Sequence, residues 1–144
     1  MSQKLTPHLV VQNAALMAEW YARALGASIG EPVTVPDGRI MSLEVRFGEA
    51  VMMMCDEFPE MGIVSPKTLG GTYGALMLAT DDVERDWQQA LAAGAEVFHP
   101  LESTFNSRGD RSGQVLDPSG HRWGLSQHRS SVSQNHSGYS ADGS

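Results

Sequence analysis

The chain has 144 residues, of which 41% are hydrophobic, and it carries a formal net charge of −7 and one cysteine. This length suits a single domain, and the negative charge argues against a nucleic-acid backbone as a partner. The sequence predicts a cytoplasmic protein without a membrane partner: it has no apolar run of roughly 20 residues, it begins without a signal-peptide pattern, and one cysteine cannot form an intrachain disulfide.

The first half of the chain predicts one strand, one helix and three further strands. Residues 6–11 predict a strand, and Asn13 predicts the cap of a helix that ends at about Leu25, before Gly26. Three strands are predicted over 27–35, 40–47 and 50–55, because Pro36-Asp37-Gly38 and Gly48-Glu49 are typical of turns. Residues 56–69 hold two prolines and predict an irregular loop.

The same order restarts in the second half. A strand is predicted over 72–80, then a helix capped by Asp81 or Asp82, and more strands from residue 95 onward. Trp20 recurs as Trp87 after about 67 residues, and Gly26-Ala27 recurs as Gly94-Ala95. This repeat predicts two β-α-β-β-β modules, over about 5–56 and 72–128, in a domain spanning residues 1–128. Residues 129–144 are almost without apolar side chains and are predicted to be a disordered tail.

The second module ends in a distinctive hairpin. Strands are predicted over 112–116 and 121–126 around the turn sequence Asp-Pro-Ser-Gly. Gly113, inside the first of these strands, indicates a bulge or the close approach of another group. The segment GDRSGQVLDPSGHRWGLSQH, residues 109–128, resembles the closing motif of the glyoxalase/bleomycin-resistance (vicinal oxygen chelate) superfamily. The pattern GDR-x-G-x-x-x-DP-x-GHRW-x-L-x-x-H is similar to its PhnB-like branch.

This resemblance covers roughly residues 5–128. It implies an α+β fold in which the two βαβββ modules form a cupped, mostly antiparallel eight-stranded sheet with a central cleft. It also implies a homodimer. Many unrelated activities occur on this scaffold, so the resemblance predicts the fold and leaves the reaction open.

Alternation along the strands predicts which side chains line the cleft. The turn at Gly48-Glu49 pairs Glu44 with Met53 and Val45 with Met52. One face of this strand pair is then wholly apolar and is expected to pack on the helices. The opposite, cleft-lining face carries Ser42, Glu44, Arg46, Val51, Met53 and Cys55. The last strand adds Arg122, Gly124, Ser126 and His128, and the resemblance places Thr6 and His8 of the opening strand on the same cleft.

The resemblance also implies four metal-ligand positions, typically His and Glu. In this sequence those positions hold Thr6, Met53, Ala75 and Gly124. Alanine and glycine have no donor atom and methionine is a soft ligand, so the sequence predicts neither the metal site of the family nor any cofactor. A displaced ion held by His8, Glu44 and His128 is the alternative. Otherwise His8 belongs to the wall of the cleft and His128 ends a strand.

Several polar residues have two interpretations each. Glu44 with Arg46 is either an acid–base pair or a structural ion pair. Arg111 and Arg122 either bind an anionic group or tie the hairpin to a neighbouring loop through Asp110 or Asp117. Two sulfur-containing residues are assigned apolar roles: Met53 is expected to be an adaptable wall, and Cys55 a small buried residue.

Three functions follow from these residues. The first is binding of a small, partly apolar organic molecule, such as an antibiotic or natural product, in a metal-free cleft. Its predicted contacts are Thr6, Ser42, Arg46, Val51, Met53, Arg122 and His128. The second is an enzyme of the lyase, isomerase or cyclase type, with Glu44 and His8 as acid–base groups or with a displaced divalent metal. The third is a subunit whose main role is association, with a vestigial cleft.

Overall fold

A computed structural model describes residues 2–129, which form two compact units. The first unit contains residues 2–73 and the short segment Pro118–His121, and the second contains Gly74–Asp117 and residues 122–129. The predicted disordered tail lies outside the described residues, apart from Arg129. Within residues 2–129, no helix is both long enough and apolar enough to cross a membrane.

The first unit is built on a β-α-β-β-β module. Its elements are β1 (His8–Val10), α1 (Ala14–Leu25), β2 (Ser28–Ile29), β3 (Val33–Thr34), β4 (Ile40–Phe47) and β5 (Ala50–Cys55). The sheet order is β1-β5-β4-β2, with β3 also on β4, and β1 runs parallel to β5. The strand expected over 27–35 is two short strands, because Gly30, Glu31 and Pro32 interrupt it and proline has no N–H to donate.

Helix α1 begins and ends where the sequence predicted. The Asn13 side chain accepts a hydrogen bond from the Leu16 N–H at 3.1 Å, and Gly26 ends the helix with a left-handed φ of 74°. The Asp56 carboxylate, which directly follows β5, adds a second tie. Its Oδ1 accepts from Ala14 N at 2.7 Å and its Oδ2 from Ile40 N at 2.6 Å. One side chain therefore joins the start of α1 to β4.

The segment over 56–69 is more regular than the sequence predicted. It contains a 3₁₀ turn at Pro59–Met61 and a one-turn helix, α2 (Pro66–Leu69). Ser65 caps α2 by accepting from Thr68 N at 3.3 Å, and proline at the first helical position favours the start. The prediction of an irregular loop was wrong here, because elements this short show no apolar period in the sequence.

The second unit repeats the topology of the first. Its elements are β6 (Ala75–Ala79), α3 (Val83–Ala92), β7 (Glu96–His99), β8 (Asp110–Leu116) and β9 (Arg122–His128). The sheet order is β6-β9-β8-β7, and β6 runs parallel to β9 as β1 does to β5. The α+β class with two βαβββ modules is confirmed. The strands of residues 2–129 form two sheets, one of five strands and one of four.

The turn residues Pro118–His121 form hydrogen bonds within the first unit, to which they belong. Ser119 Oγ accepts from Gln12 N at 3.1 Å, and the Ser119 carbonyl accepts from Lys67 N at 3.0 Å. His121 Nε2 lies 2.8 Å from the Val10 carbonyl oxygen. Because these contacts engage His121 in the turn, β9 begins at Arg122, one residue later than predicted.

The core of the second unit explains Gly113. Trp87 of α3 is buried, and an ideal Cβ at Gly113 would lie 2.7 Å from Trp87 Cζ3 and 2.7 Å from Leu101 Cα. The close approach that the sequence indicated at Gly113 is confirmed. Beside it, the indole N–H of Trp123 donates to Asp117 Oδ2 at 2.9 Å, and both side chains are buried.

Candidate functional site

The first sheet has one buried face and one partly exposed face. Leu43, Val45, Met52 and Met54 are all at most 4% exposed. The opposite face, here called the Met53 face, carries His8, Val10, Ser42, Glu44, Arg46, Val51, Met53 and Cys55. The pairings Glu44 with Met53 and Val45 with Met52, predicted from the turn, are confirmed. His8 is also paired with Met53, so His8, Met53 and Glu44 form one row across three strands.

Thr6 lies just outside this arrangement. Strand β1 begins at His8, so placing Thr6 within the opening strand was wrong. The intervening Pro7 has no N–H, but its carbonyl accepts a hydrogen bond from Met53 N at 2.9 Å. Thr6 is therefore close in sequence to the Met53 face, and its role as a ligand contact stays a prediction.

Met53 separates the two candidate acid–base residues. Neighbouring strands are about 4.8 Å apart, so His8 and Glu44 stand roughly 10 Å apart across the sheet. The Glu44 carboxylate accepts from Arg46 Nη2 at 2.7 Å, and the two side chains are 40% and 46% exposed, respectively. The structural ion pair is thus the arrangement present. Acid–base catalysis by Glu44 and His8 requires a substrate that lies over Met53 and contacts both side chains.

Cys55, at the end of β5, has the surroundings of an unreactive thiol. Burial raises the pKa of the Cys55 thiol, and the neighbouring Asp56 carboxylate raises it further. The thiolate is the reactive form of cysteine, so a raised pKa lowers reactivity at neutral pH. These surroundings agree with an apolar packing role.

We expect the alkylation rate of Cys55 to titrate at a higher pH in the folded protein than in the same chain in urea. An unfolded thiol titrates near pH ~8.5, and the folded thiol is shifted above that value by its surroundings. Cys55 is the one cysteine of the chain, so iodoacetamide labelling followed by mass spectrometry reports this thiol alone. Identical midpoints in the folded and unfolded chains would contradict the assignment.

The second sheet also has a face turned away from its helix. Trp123 and Leu125 are buried on the α3 side. On the face turned away from α3, strand pairing places the side chains of β6, β9 and β8 in rows. In these rows Arg122 lies between Ala75 and Leu116, Gly124 between Met77 and Gln114, and Ser126 between Ala79 and Ser112. This set is here called the Arg122 face, and it ends at the pair of His128 with Asp110.

The residues at the positions that the resemblance assigns to metal ligands do not fit a metal ion. In the second unit, Ala75 has no donor atom, and the Sδ and Cε atoms of Met77 occupy the space that a Cβ at Gly124 would need. In the first unit, Met53 offers only a thioether. Among residues 2–129, no three His, Cys, Asp or Glu side chains are grouped so that they could hold an ion.

Two polar atoms on the Arg122 face are buried without a hydrogen-bond partner in the described part of the chain. They are Arg122 Nε and Gln114 Oε1. The guanidinium carbon of Arg122 lies 5.0 Å from the ring centroid of Phe98 in β7. Sequence reasoning selected Arg122 and missed Gln114 and Phe98. The pairing of Gln114 with Gly124 could have been derived from the hairpin, whereas Phe98 lies at a register shift in β7.

Arg111 lies on the other side of the hairpin. Its Nη2 donates to Glu84 Oε1 of α3 at 2.7 Å, and its Nε donates to the Glu102 carbonyl at 2.5 Å. This guanidinium lowers the pKa of the Glu84 carboxyl. The structural role predicted for Arg111 is the one present, but Asp110 and Asp117 were the wrong partners, because hairpin residues alone do not tell which helix residue packs above them.

His128 is paired with Asp110 across the strand ends. The Nδ1 atom lies 2.6 Å from Asp110 Oδ1, and the side chains are 52% and 40% exposed, respectively. The guanidinium of Arg108 lies 3.9 Å from the same carboxylate. The carboxylate orients the imidazole on the Arg122 face, where its role as a ligand contact stays a prediction.

Comparison with known proteins gives one family and several related chains. A sequence model of the Glyoxalase/Bleomycin resistance protein/Dioxygenase superfamily matches residues 5–125. Uncharacterized proteins of Mycobacterium bovis and Mycobacterium tuberculosis are 39% identical over 126 residues, which is 85% of this chain and 82% and 73% of theirs, respectively.

Solved structures share the fold at lower identity. TioX from Micromonospora sp. ML1 superimposes with a TM-score of 0.66 at 19% identity, over 87% of this chain and 95% of its own. The fosfomycin resistance protein FosX of Listeria monocytogenes, solved with Mn(II) and sulfate, gives a TM-score of 0.68 at 13% identity, over 88% and 93%. At these identities the likeness shows the fold alone.

Proposed function

Because the chain belongs to the glyoxalase/bleomycin resistance protein/dioxygenase superfamily, we propose that it binds a small, partly apolar organic molecule without the aid of a metal ion. The observation that carries this proposal is the row of His8, Met53 and Glu44 across three paired strands. It sets a flexible apolar side chain between two polar ones on a partly exposed face. Ligand sites combine mostly apolar walls with a few polar groups in this way, and methionine adapts to irregular shapes.

Antibiotics and related natural products are the first ligand class in this proposal. One related structure is that of a fosfomycin resistance protein, so the superfamily includes antibiotic-resistance proteins. The assignment to the PhnB-like branch, the homodimer and the cytoplasmic location are parts of the same proposal.

The alternative is an enzyme that moves a proton between Glu44 and His8 on a bound substrate. The shared row favours it, since a molecule lying over Met53 would touch both residues. The ion pair of Glu44 with Arg46 opposes it, because the guanidinium already occupies one carboxylate oxygen. Turnover that is lost in both Glu44→Gln and His8→Gln, with ligand affinity kept, would select the enzyme over the binding protein.

Replacing Met53 with glutamate should weaken the binding of a neutral apolar probe by at least about tenfold, because it brings an unpaired carboxylate against the bound molecule. N-phenyl-1-naphthylamine is such a probe, and its fluorescence rises when it enters an apolar site. Met53→Leu keeps the apolar wall and should bind within about twofold of the unmodified protein.

Met61→Glu provides the matched control, since Met61 is 68% exposed in the 3₁₀ turn and lies outside the sheet. Its affinity for the probe should not change. Equal affinity of Met53→Glu and Met61→Glu for the probe would show that Met53, and with it Glu44, does not belong to the site. A chain that shows no saturable binding of the probe would refute the proposed function itself.

A further inference from the structure

The Arg122 face contains a cation that differs from most other arginines of the chain. Five arginines lie between 2.7 and 3.9 Å from a carboxylate oxygen, namely Arg39, Arg46, Arg85, Arg108 and Arg111. Arg122 instead lies over the ring of Phe98, and its buried Nε has no hydrogen-bond partner within residues 2–129. Buried donors without acceptors are rare in folded proteins, so this N–H indicates a missing acceptor.

Gln114 supplies a second unsatisfied group next to the first. Its partner across the hairpin is Gly124, and the neighbouring pair is Leu116 with Arg122, so Gln114 and Arg122 are diagonal neighbours on one face. The Cα atoms of diagonal neighbours are about 7–8 Å apart, so two long side chains at these positions can both reach one small planar group. Gln114 Oε1 is buried and has no donor in the described part of the chain. A half-turn of the amide would present its NH₂ group at the same place.

Apolar surface adjoins these two groups. Phe98 is 41% exposed and Met77 is 58% exposed, and the Met77 thioether lies over Gly124, which is paired with Gln114. The Phe98 ring holds the guanidinium by a cation–π contact, which limits its motion and aims its N–H groups. A bound molecule would therefore contact the Arg122 guanidinium, the Gln114 amide and the apolar surface of Met77 and Phe98.

From these contacts we infer that the second unit carries a subsite for a carboxylate attached to an aromatic or otherwise apolar body. One carboxylate oxygen accepts from Arg122 Nε and the other from the rotated Gln114 amide, while the body lies on Met77 and Phe98. The carboxylate is preferred over a neutral amide because hydrogen bonds with an ionised donor or acceptor are roughly twice as strong as neutral ones. This inference rests on the proposed function, since it names a chemical class of small molecule that the chain would bind.

The test compares 2-naphthoate with 2-naphthamide, which have the same body and differ in charge, by isothermal titration calorimetry of the full chain. Naphthoate should bind at least about tenfold more tightly than naphthamide, since a hydrogen bond to a charged group is worth more than a neutral one. Arg122→Gln should remove this preference. Arg122→Lys should keep part of it, because lysine retains the charge without the planar fork.

Arg85→Gln is the control for the change in net charge, because Arg85 is on α3 and its side chain is 66% exposed. Its preference for naphthoate should equal that of the unmodified protein. The inference is overturned if naphthamide binds as tightly as naphthoate, if naphthoate shows no saturable binding, or if Arg122→Gln leaves the preference intact while circular dichroism shows a folded protein. Because the proposed function is tested with a neutral probe and Met53 variants, the carboxylate subsite can fail while the proposed function stands.

Discussion

Replacing Gly113 with alanine is expected to lower the free energy of unfolding by about 2–3 kcal/mol. The added methyl group would meet the Leu101 backbone and the far edge of the Trp87 ring, both at 2.7 Å, and neither can move away cheaply. Gly113 has no left-handed φ, so the cost arises from lack of space alone. Urea unfolding followed by tryptophan fluorescence would show the loss as a lower midpoint with an unchanged slope.

Gly74→Ala is the matched control for Gly113→Ala, because a Cβ at Gly74 meets no atom within 4 Å. It should change the free energy of unfolding by no more than about 0.5 kcal/mol. In a chain that already carries Trp87→Phe, Gly113→Ala should cost less than it does in the unmodified protein, since phenylalanine lacks the far ring atoms. The remaining loss reports the contact with Leu101. Equal stabilities of Gly113→Ala and Gly74→Ala would show that the close packing around Gly113 is not present in solution.

Strand positions could be predicted where a turn and an alternating pattern agreed. Strands β4 and β5 have the predicted bounds, because Gly48-Glu49 fixes the turn and every second residue is apolar. The same reasoning gave the residues that β4 and β5 contribute to the Met53 face, whereas the place of His8 came from the family resemblance. It failed over 27–35, where Pro32 splits the strand, and over 56–69, where helices of one turn leave no periodic signal.

The Arg122 face was harder to predict, for physical reasons. Alternation gave Arg122, Gly124, Ser126 and His128, but the neighbours of Arg122 depend on other elements of the fold. Phe98 reaches it because the register of β7 shifts between Val97 and His99, and the sequence carries no clear sign of that shift. Arg111 forms its ion pair with Glu84 of α3. This partner depends on how α3 packs on the sheet, which the hairpin sequence alone does not give.

In both modules, the start of the helix is held by the same type of hydrogen bond. In each, a side chain close to the end of the last strand accepts a hydrogen bond from the N–H of the first residue of the module's helix. Asp56 accepts from Ala14 N at 2.7 Å, and the buried Gln127 accepts from Val83 N at 3.0 Å. The first N–H groups of a helix have no partner within the helix, so both side chains satisfy a donor that the fold would otherwise leave unpaired.

Replacing Asp56 with alanine is therefore expected to lower the free energy of unfolding by about 3 kcal/mol, because two short hydrogen bonds from backbone N–H groups to a carboxylate are lost together. Asp56→Asn keeps one carbonyl acceptor and should lose about half as much. Urea unfolding measures both, and hydrogen exchange should show faster exchange at the amides of Ala14 and Ile40. Glu49→Ala, at the exposed turn between β4 and β5, removes the same charge and should be nearly neutral. A loss in Asp56→Ala no larger than that in Glu49→Ala would show that the carboxylate does not hold α1 to the sheet.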